Sequence, residues 1–297
     1  MLYDNRRGKE VILFDRNEIR KILQALNPID DMMFRKMSED LGFCEEILQN
    51  ILEKPDLKLT DTIPQYAGTN LQGRSVVLDT KCILEDGKVI NIEVQKKDDD
   101  DHQRRVRYNG AVLTANAADP GIHFEAVPDV CVVFISRFDP FREKQPMYHV
   151  ERIVSETGTP VKNGFTEIYV NAKTKNGSRV SDLMRVFTEN DYYDERFPVT
   201  SGLKFRLKMT EEGQKEMSEI AERIWLEGKA EGKAEGKAEG KAEGKAEGKA
   251  EGKQEGRIEG VVRLGRSLGM SDEQLVSKLM ELYRINADAA KELLVTA

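Results

Sequence analysis

Cysteine is scarce in this chain of 297 residues: Cys44, Cys82 and Cys131 are its three, widely spaced and odd in number. Without a CxxC pair or a histidine cluster beside them they indicate neither a zinc site nor a disulfide framework, and they read as reduced, mostly buried thiols. Histidine is equally sparse, and His102, His123 and His149 show neither metal-ligand spacing nor a nucleophile partner. No run of about 18 apolar residues exists to cross a bilayer. The opening MLYDNRRGKE is followed by no signal-like apolar core, so a cytoplasmic protein is expected. Excess positive charge is missing too. Lys and Arg number 46 against 53 Asp and Glu, a net charge of -7, so any phosphate binding must be the work of local patches.

What is present is a hairpin with acids on both arms. In VVLDTKCILEDGKVINIEVQ, strand-forming side chains flank Asp79, Glu85-Asp86-Gly87-Lys88 supply turn residues, and Val89, Ile90, Ile92 and Val94 resume a strand. Loop length decides whether the acids meet. A two-residue Asp86-Gly87 turn would oppose Asp79 to Val94 and leave Glu93 on the other face. A three-residue loop, Glu85 to Gly87 with Gly87 in the left-handed region, opposes Asp79 to Glu93 and puts Gln95 on the same face. The three-residue loop is the expectation.

Asp79 followed by Glu93-Val94-Gln95 resembles the PD-(D/E)XK nuclease core, in the variant where Gln replaces the usual Lys, as in bacterial recombination-promoting nucleases of the PD-(D/E)XK transposase type. Flanking segments are similar as well: Asn27-Pro28-Ile29-Asp30-Asp31-Met32-Met33-Phe34, Arg104-Arg105-Val106-Arg107-Tyr108, Pro128 to Ile135, Tyr148 to Arg152 and Ile168-Tyr169-Val170-Asn171. The resemblance spans roughly residues 25–226, and the ordered set is far more specific than the acids alone. It implies an α/β fold with a mixed sheet flanked by helices. It also implies a metal-dependent DNA endonuclease tied to recombination or mobile elements, with Asp79, Glu93 and Gln95 as catalytic residues. Asp79, Glu93 and the Val94 carbonyl would hold Mg²⁺ or Mn²⁺, ions that favour hard oxygen ligands. Gln95 can orient water or a phosphate oxygen but supplies no positive charge. A catalytically silent DNA-binding or assembly protein that keeps the fold is the alternative.

Lys96, Arg104 and Arg107, with Lys97 and Arg105, are the candidate phosphate contacts, interrupted by the acidic run Asp98 to Asp101. Asp31 reads either as a third carboxylate or as a helix N-terminal acid.

Along the chain, 1–24 is an extension holding a short amphipathic segment at Asn17–Leu23. From Asp30 to Leu52 the spacing predicts one or two helices broken near Gly42, and Pro55 to Thr69 reads as a connector. A helix is expected over Asp101–Ala117, a buried strand over Val130–Ile135, two strands within 147–172 and a helix from Ser178 to about Asn190. From Glu227 the tetrapeptide EGKA repeats six times. Each Gly costs a helix about 1 kcal/mol relative to Ala, and the four-residue period stacks like charges. Residues 227–257 therefore read as a solvated, marginally helical spacer between the nuclease-like domain, 25–226, and a helical segment, 258–297. Within that last segment, Ser271-Asp272-Glu273-Gln274 reads as a capping-box-like helix start. Too short for a strong core of its own, the segment is expected to pair with a second chain or dock on the main domain, which makes DNA and a homo-oligomer through the C-terminal helices the expected partners and a membrane not one.

Overall fold

The computed structural model describes residues 21, 23–68 and 76–296. The expected segment at Asn17–Leu23 lies outside these, apart from Lys21 and Leu23. The chain divides into two compact units, Met1–Ile224 and Trp225–Ala297.

In the first unit, helices α1 (Asp31–Met37) and α2 (Leu41–Ile51) precede three strands, β1 (Leu59–Gly68), β2 (Val76–Leu84) and β3 (Val89–Gln95). Helix α3 (His102–Ala117) leads to β4 (Val130–Ser136), β5 (Met147–Val150), the small pair β6 (Ile153–Val154) and β7 (Thr159–Pro160), and β8 (Phe165–Asn171). Helices α4 (Arg179–Thr188) and α5 (Pro198–Met209) follow, and α6 (Glu211–Ser267) carries the chain across the division. The main sheet has six strands in the order β1-β2-β3-β4-β8-β5. It is mixed: β1, β2 and β3 pair antiparallel, β3, β4 and β8 run parallel, and β5 returns antiparallel.

Two expectations change. Residues expected as a connector contain β1, because Pro64 cannot donate to a ladder yet is tolerated on an edge strand, and β1 is the edge. The break expected near Gly42 falls just before it, at Ser38–Asp40, since the Asp40 side chain accepts the Phe43 N–H and starts α2 there.

Alternation sends the sheet's apolar side chains to two cores. Ile90, Ile92, Val94, Val133, Ile135, Ile168 and Val170 pack with α1, α2, α4 and α5 on one face. Val132, Phe134 and Tyr169 meet Val106 of α3 on the other, beside a cluster of Leu78, Val89, Val130 and Leu113.

Helix α5 fastens the first face from both ends. Glu46 of α2, buried, accepts the backbone N–H groups of Val199 at 3.1 Å and Thr200 at 2.7 Å, in the first turn of α5. A carboxylate there satisfies orphan donors and faces the positive end of the helix dipole. Further along, the buried ammonium of Lys204 donates to the carbonyls of Val186 (2.9 Å) and Glu189, and Lys208 donates to the Asn190 carbonyl. Burial lowers the pKa of Lys204 to about 8.

In the second unit, Ile258 and Val262 of α6 pack with Leu275 and Leu279 of α7 (Asp272–Tyr283) and Ala290 and Leu294 of α8 (Ala287–Thr296). The Ser271–Gln274 capping box starts α7. The EGKA repeat lies within α6.

Replacing Glu46 by Ala removes both acceptors from α5 and leaves the Thr200 N–H buried without a partner. The expected loss is about 2–3 kcal/mol in urea unfolding of the full chain, with Glu46→Gln intermediate. An unchanged urea midpoint in Glu46→Ala would remove the carboxylate from any role in holding α5.

Candidate active site

The hairpin register is set by its turn. Thr80 faces Ile92, Lys81 faces Asn91, Cys82 faces Ile90 and Ile83 faces Val89, and the Leu84 N–H reaches the Lys88 carbonyl across Glu85-Asp86-Gly87. Gly87 sits at φ 83°, the left-handed geometry a three-residue loop requires. Continuing this register opposes Asp79 to Glu93.

At that pair the backbone ladder between β2 and β3 gives way to side chains. The Val94 N–H donates to the Asp79 carboxylate at 2.8 Å, and the Asp79 N–H donates to Glu93 Oε1 at 3.3 Å. Each strand's acid thus accepts a backbone donor from the opposite strand. β2 also changes face here. Cys82 and Leu84 belong to the first core, whereas Leu78, which strict alternation would send with them, joins the cluster under α3.

The pair is buried, Asp79 at 9% and Glu93 at 1% exposure. Burial is the largest cause holding the Asp79 carboxyl well above the ordinary range. The Glu93 charge adds to it, and the more distant Asp31 pushes the same way. Burial also raises Glu93, while the Asn91 amide and the Arg105 guanidinium pull it back. Asn91 Nδ2 donates to Glu93 Oε1 at 2.7 Å, and its own Oδ1 is buried with no donor among the described residues.

Arg105 completes the cluster from α3. It donates to Gln95 Oε1 at 3.1 Å and to Glu93 Oε2 at 3.4 Å, so Gln95 and Glu93 share a face. The other end of the Gln95 amide donates to the Lys97 carbonyl at 3.0 Å and to Asp99 Oδ1 at 3.3 Å, which folds the acidic run back over the end of β3. Lys96 pairs with Asp30, Arg104 Nε pairs with Asp101 at 3.1 Å, and Arg107 is exposed. The sequence names Asp79, Glu93 and Gln95, and the fold brings them together. It also brings in Asn91 and Arg105. Asn91 carries one readable signal, a polar residue two positions before Glu93 and so on its face of β3. Arg105 stands among three nearby arginines, and only the packing of α3 selects it.

Residues 31–187 match the model of the PD-(D/E)XK nuclease family transposases. The chain belongs to this family. No curated protein and no solved structure gave a significant match. Family membership agrees with the mixed sheet flanked by helices and points to a nuclease with a mobile-element role. PD-(D/E)XK nucleases generally use divalent metals, and the donor set fits one: two adjacent buried carboxylates repel each other, and among the described residues only the Arg105 guanidinium, on one oxygen of Glu93, forms an ion pair with them. No group of three or more acidic, histidine or cysteine side chains forms a metal cluster among the described residues, so further ligands would have to be backbone, amide, water or phosphate oxygens.

A carboxyl whose pKa is raised on folding binds its proton more tightly in the folded state. The contribution of this pair to the stability of the metal-free protein is therefore fully present below the ordinary carboxylate range near about pH 4 and is lost as pH rises through the raised folded values. Asp79→Asn, which keeps an oxygen for the Val94 N–H, should raise the unfolding free energy at pH 7 in EDTA by about 1 kcal/mol or more, and the gain should shrink toward pH 4. Thermal unfolding of both proteins across that range tests it. A variant no more stable than wild type at pH 7 would show that the two charges are already compensated.

Proposed function

We propose that the protein is a metal-dependent DNA endonuclease that hydrolyses phosphodiester bonds in a recombination or mobile-element setting. The observation that carries this reading is the reciprocal seating of Asp79 and Glu93 at the opened β2–β3 ladder, with Gln95 and Arg105 on the same face. Asp79, Glu93 and the Val94 carbonyl would hold Mg²⁺ or Mn²⁺. A divalent ion in that position supplies a lowered pKa for the attacking water and stabilises charge developing on the phosphate. Gln95 orients the water or a phosphate oxygen through its amide. Arg105 brings to the same face the positive charge that Gln95 lacks, at a distance suited to a phosphate oxygen next to Glu93. Asn91 keeps Glu93 in its rotamer. Lys96, Arg104 and Arg107 are assigned to DNA phosphates, the first two by exchanging their ion pairs with Asp30 and Asp101.

We assign the nuclease domain to 25–226, the repeat spacer to 227–257 and a self-association segment to 258–297. Exposed Leu264, Leu268 and Leu282 on the small helical unit support association with a second copy. No helix among the described residues is long and apolar enough to cross a membrane.

A second reading, a catalytically silent DNA-binding protein that keeps the fold, is favoured by Arg105 already lying against Glu93. Cleavage of supercoiled and linear DNA in Mg²⁺, Mn²⁺ or EDTA separates the two. Under the nuclease reading, Asp79→Ala and Glu93→Ala each abolish metal-dependent nicking, and Arg105→Ala lowers it by roughly 10²–10³-fold with Arg105→Lys recovering part. DNA binding without cleavage above the level of the acid variants would establish the silent protein instead.

A further inference from the structure

Strands β3, β4 and β8 end on one row. Gln95 is in register with Ser136 and Ser136 with Asn171. The chain leaves that row hydrogen-bonded across it, Arg137 N–H to the Gln95 carbonyl at 2.9 Å and Ala172 N–H to the Ser136 carbonyl at 2.8 Å. The loops after β4 and β8 therefore start on the same edge of the sheet as Gln95.

These loops carry Arg137, Arg142, Lys144 and Lys173, all exposed. None forms an ion pair or side-chain hydrogen bond among the described residues. The cations nearest the site along the chain are different, since Lys96 and Arg104 are paired with acids.

The first loop is built to hold its cations outward. Arg142 and Lys144 have left-handed backbones, φ 62° and 58°, a conformation that is unfavourable for a side-chain-bearing residue and persists only where neighbours impose it. Asp139 imposes it. Its carboxylate accepts the N–H groups of Phe141 (3.2 Å), Arg142 (2.9 Å) and Lys144 (2.7 Å) and the Tyr148 hydroxyl (2.6 Å). Desolvation opposes the charge, but the Tyr148 hydroxyl and these N–H donors outweigh it and hold the carboxyl below its ordinary range. Phe141 anchors the loop between Tyr148 and Tyr169, at ring-centroid distances of 4.9 and 5.0 Å. Asp139 is thus occupied by the backbone, and exposed Glu143, between Arg142 and Lys144, forms no ion pair with either among the described residues.

We propose that Arg137, Arg142, Lys144 and Lys173 form the rim on which the phosphate backbone of duplex DNA docks, presenting the scissile region to the end of β3. The assignment rests on the nuclease reading for its substrate and on the loop geometry for its residues. Free, preorganised cations lose no existing partner on binding and little conformational freedom. In a chain of net charge -7 such a concentration gives the approach of DNA its direction.

The test is binding of a fluorescein-labelled DNA duplex to the full chain in EDTA, titrated over a series of salt concentrations. Glycine adopts the left-handed backbone freely, so Arg142→Gly/Lys144→Gly removes two charges while keeping the loop. Lys54→Ala/Lys162→Ala, at the opposite ends of the strands beside Leu84 and Gly164, removes two exposed charges as a matched control. Removing a cation that neutralises one phosphate should lower the slope of log K against log salt by about one. The rim double variant is expected to lose about two in slope and roughly tenfold or more in affinity, with the control unchanged. Arg137→Ala/Lys173→Ala should behave like the first double variant. An unchanged slope in both rim variants, an equal loss in the control, or no duplex binding by wild type overturns the rim. Rim-dependent binding by a wild type that cleaves nothing would leave the rim standing and remove the nuclease reading instead.

Discussion

Everything at the candidate site depends on one exchange of hydrogen bonds. Where β2 and β3 would continue their ladder, Asp79 accepts the Val94 N–H and Glu93 accepts the Asp79 N–H. Buried backbone donors must be satisfied, and the acids do so in place of carbonyls. The same contacts hold two carboxyls side by side in a poorly solvated place, where burial raises both pKa values and the Glu93 charge adds to the rise at Asp79. Structure and chemistry therefore conflict in the metal-free chain, and a cation bound between the carboxylates would relieve the conflict. Such a conflict between stability and local order is the kind concentrated at working sites.

The surroundings distribute charge unevenly. Arg105 reaches Gln95 and Glu93 from α3, while the acidic run after β3 is tied back through Asp99 to the Gln95 amide. On the neighbouring loops Asp139 is absorbed by backbone donors. The overall deficit of positive charge is thus a poor guide to this surface, because local pairing decides which charges an approaching phosphate meets. Beneath, α5 joins α2 through Glu46 and the end of α4 through Lys204, so the layer that supports the site is itself held by buried polar contacts as well as by apolar packing.

The second unit obeys simpler rules. Ser271 caps α7, and a stripe of Leu275 and Leu279 packs with Ile258, Val262, Ala290 and Leu294. The repeat preceding it has poor helix propensity residue by residue, yet it lies inside one helix, α6. Helix propagation adds one hydrogen bond per residue once a nucleus exists, and Gln214 to Leu226 precedes the repeat as that nucleus.

Much of this was determined by sequence alone. The alternation around Asp79 and Glu93, the turn chemistry ending in Gly87 and the β-branched run Val130–Ile135 specify a hairpin, its register and a buried strand, because each rests on neighbours a few residues apart. The capping box at Ser271 is equally local. β1 escaped such a reading, since the rule that Pro64 opposes a strand lapses only at an edge, and edges are a property of the assembled sheet. Gly42 drew the helix break from its own preference, whereas the cap at Asp40 set the actual start. The tertiary structure alone decided that Arg105 rather than Arg104 or Arg107 meets the acids and that Arg137 follows Gln95 across the sheet. The reason is common to both. Each depends on how a helix or a parallel crossover packs over many intervening residues, and sequence spacing carries no distance across such a span.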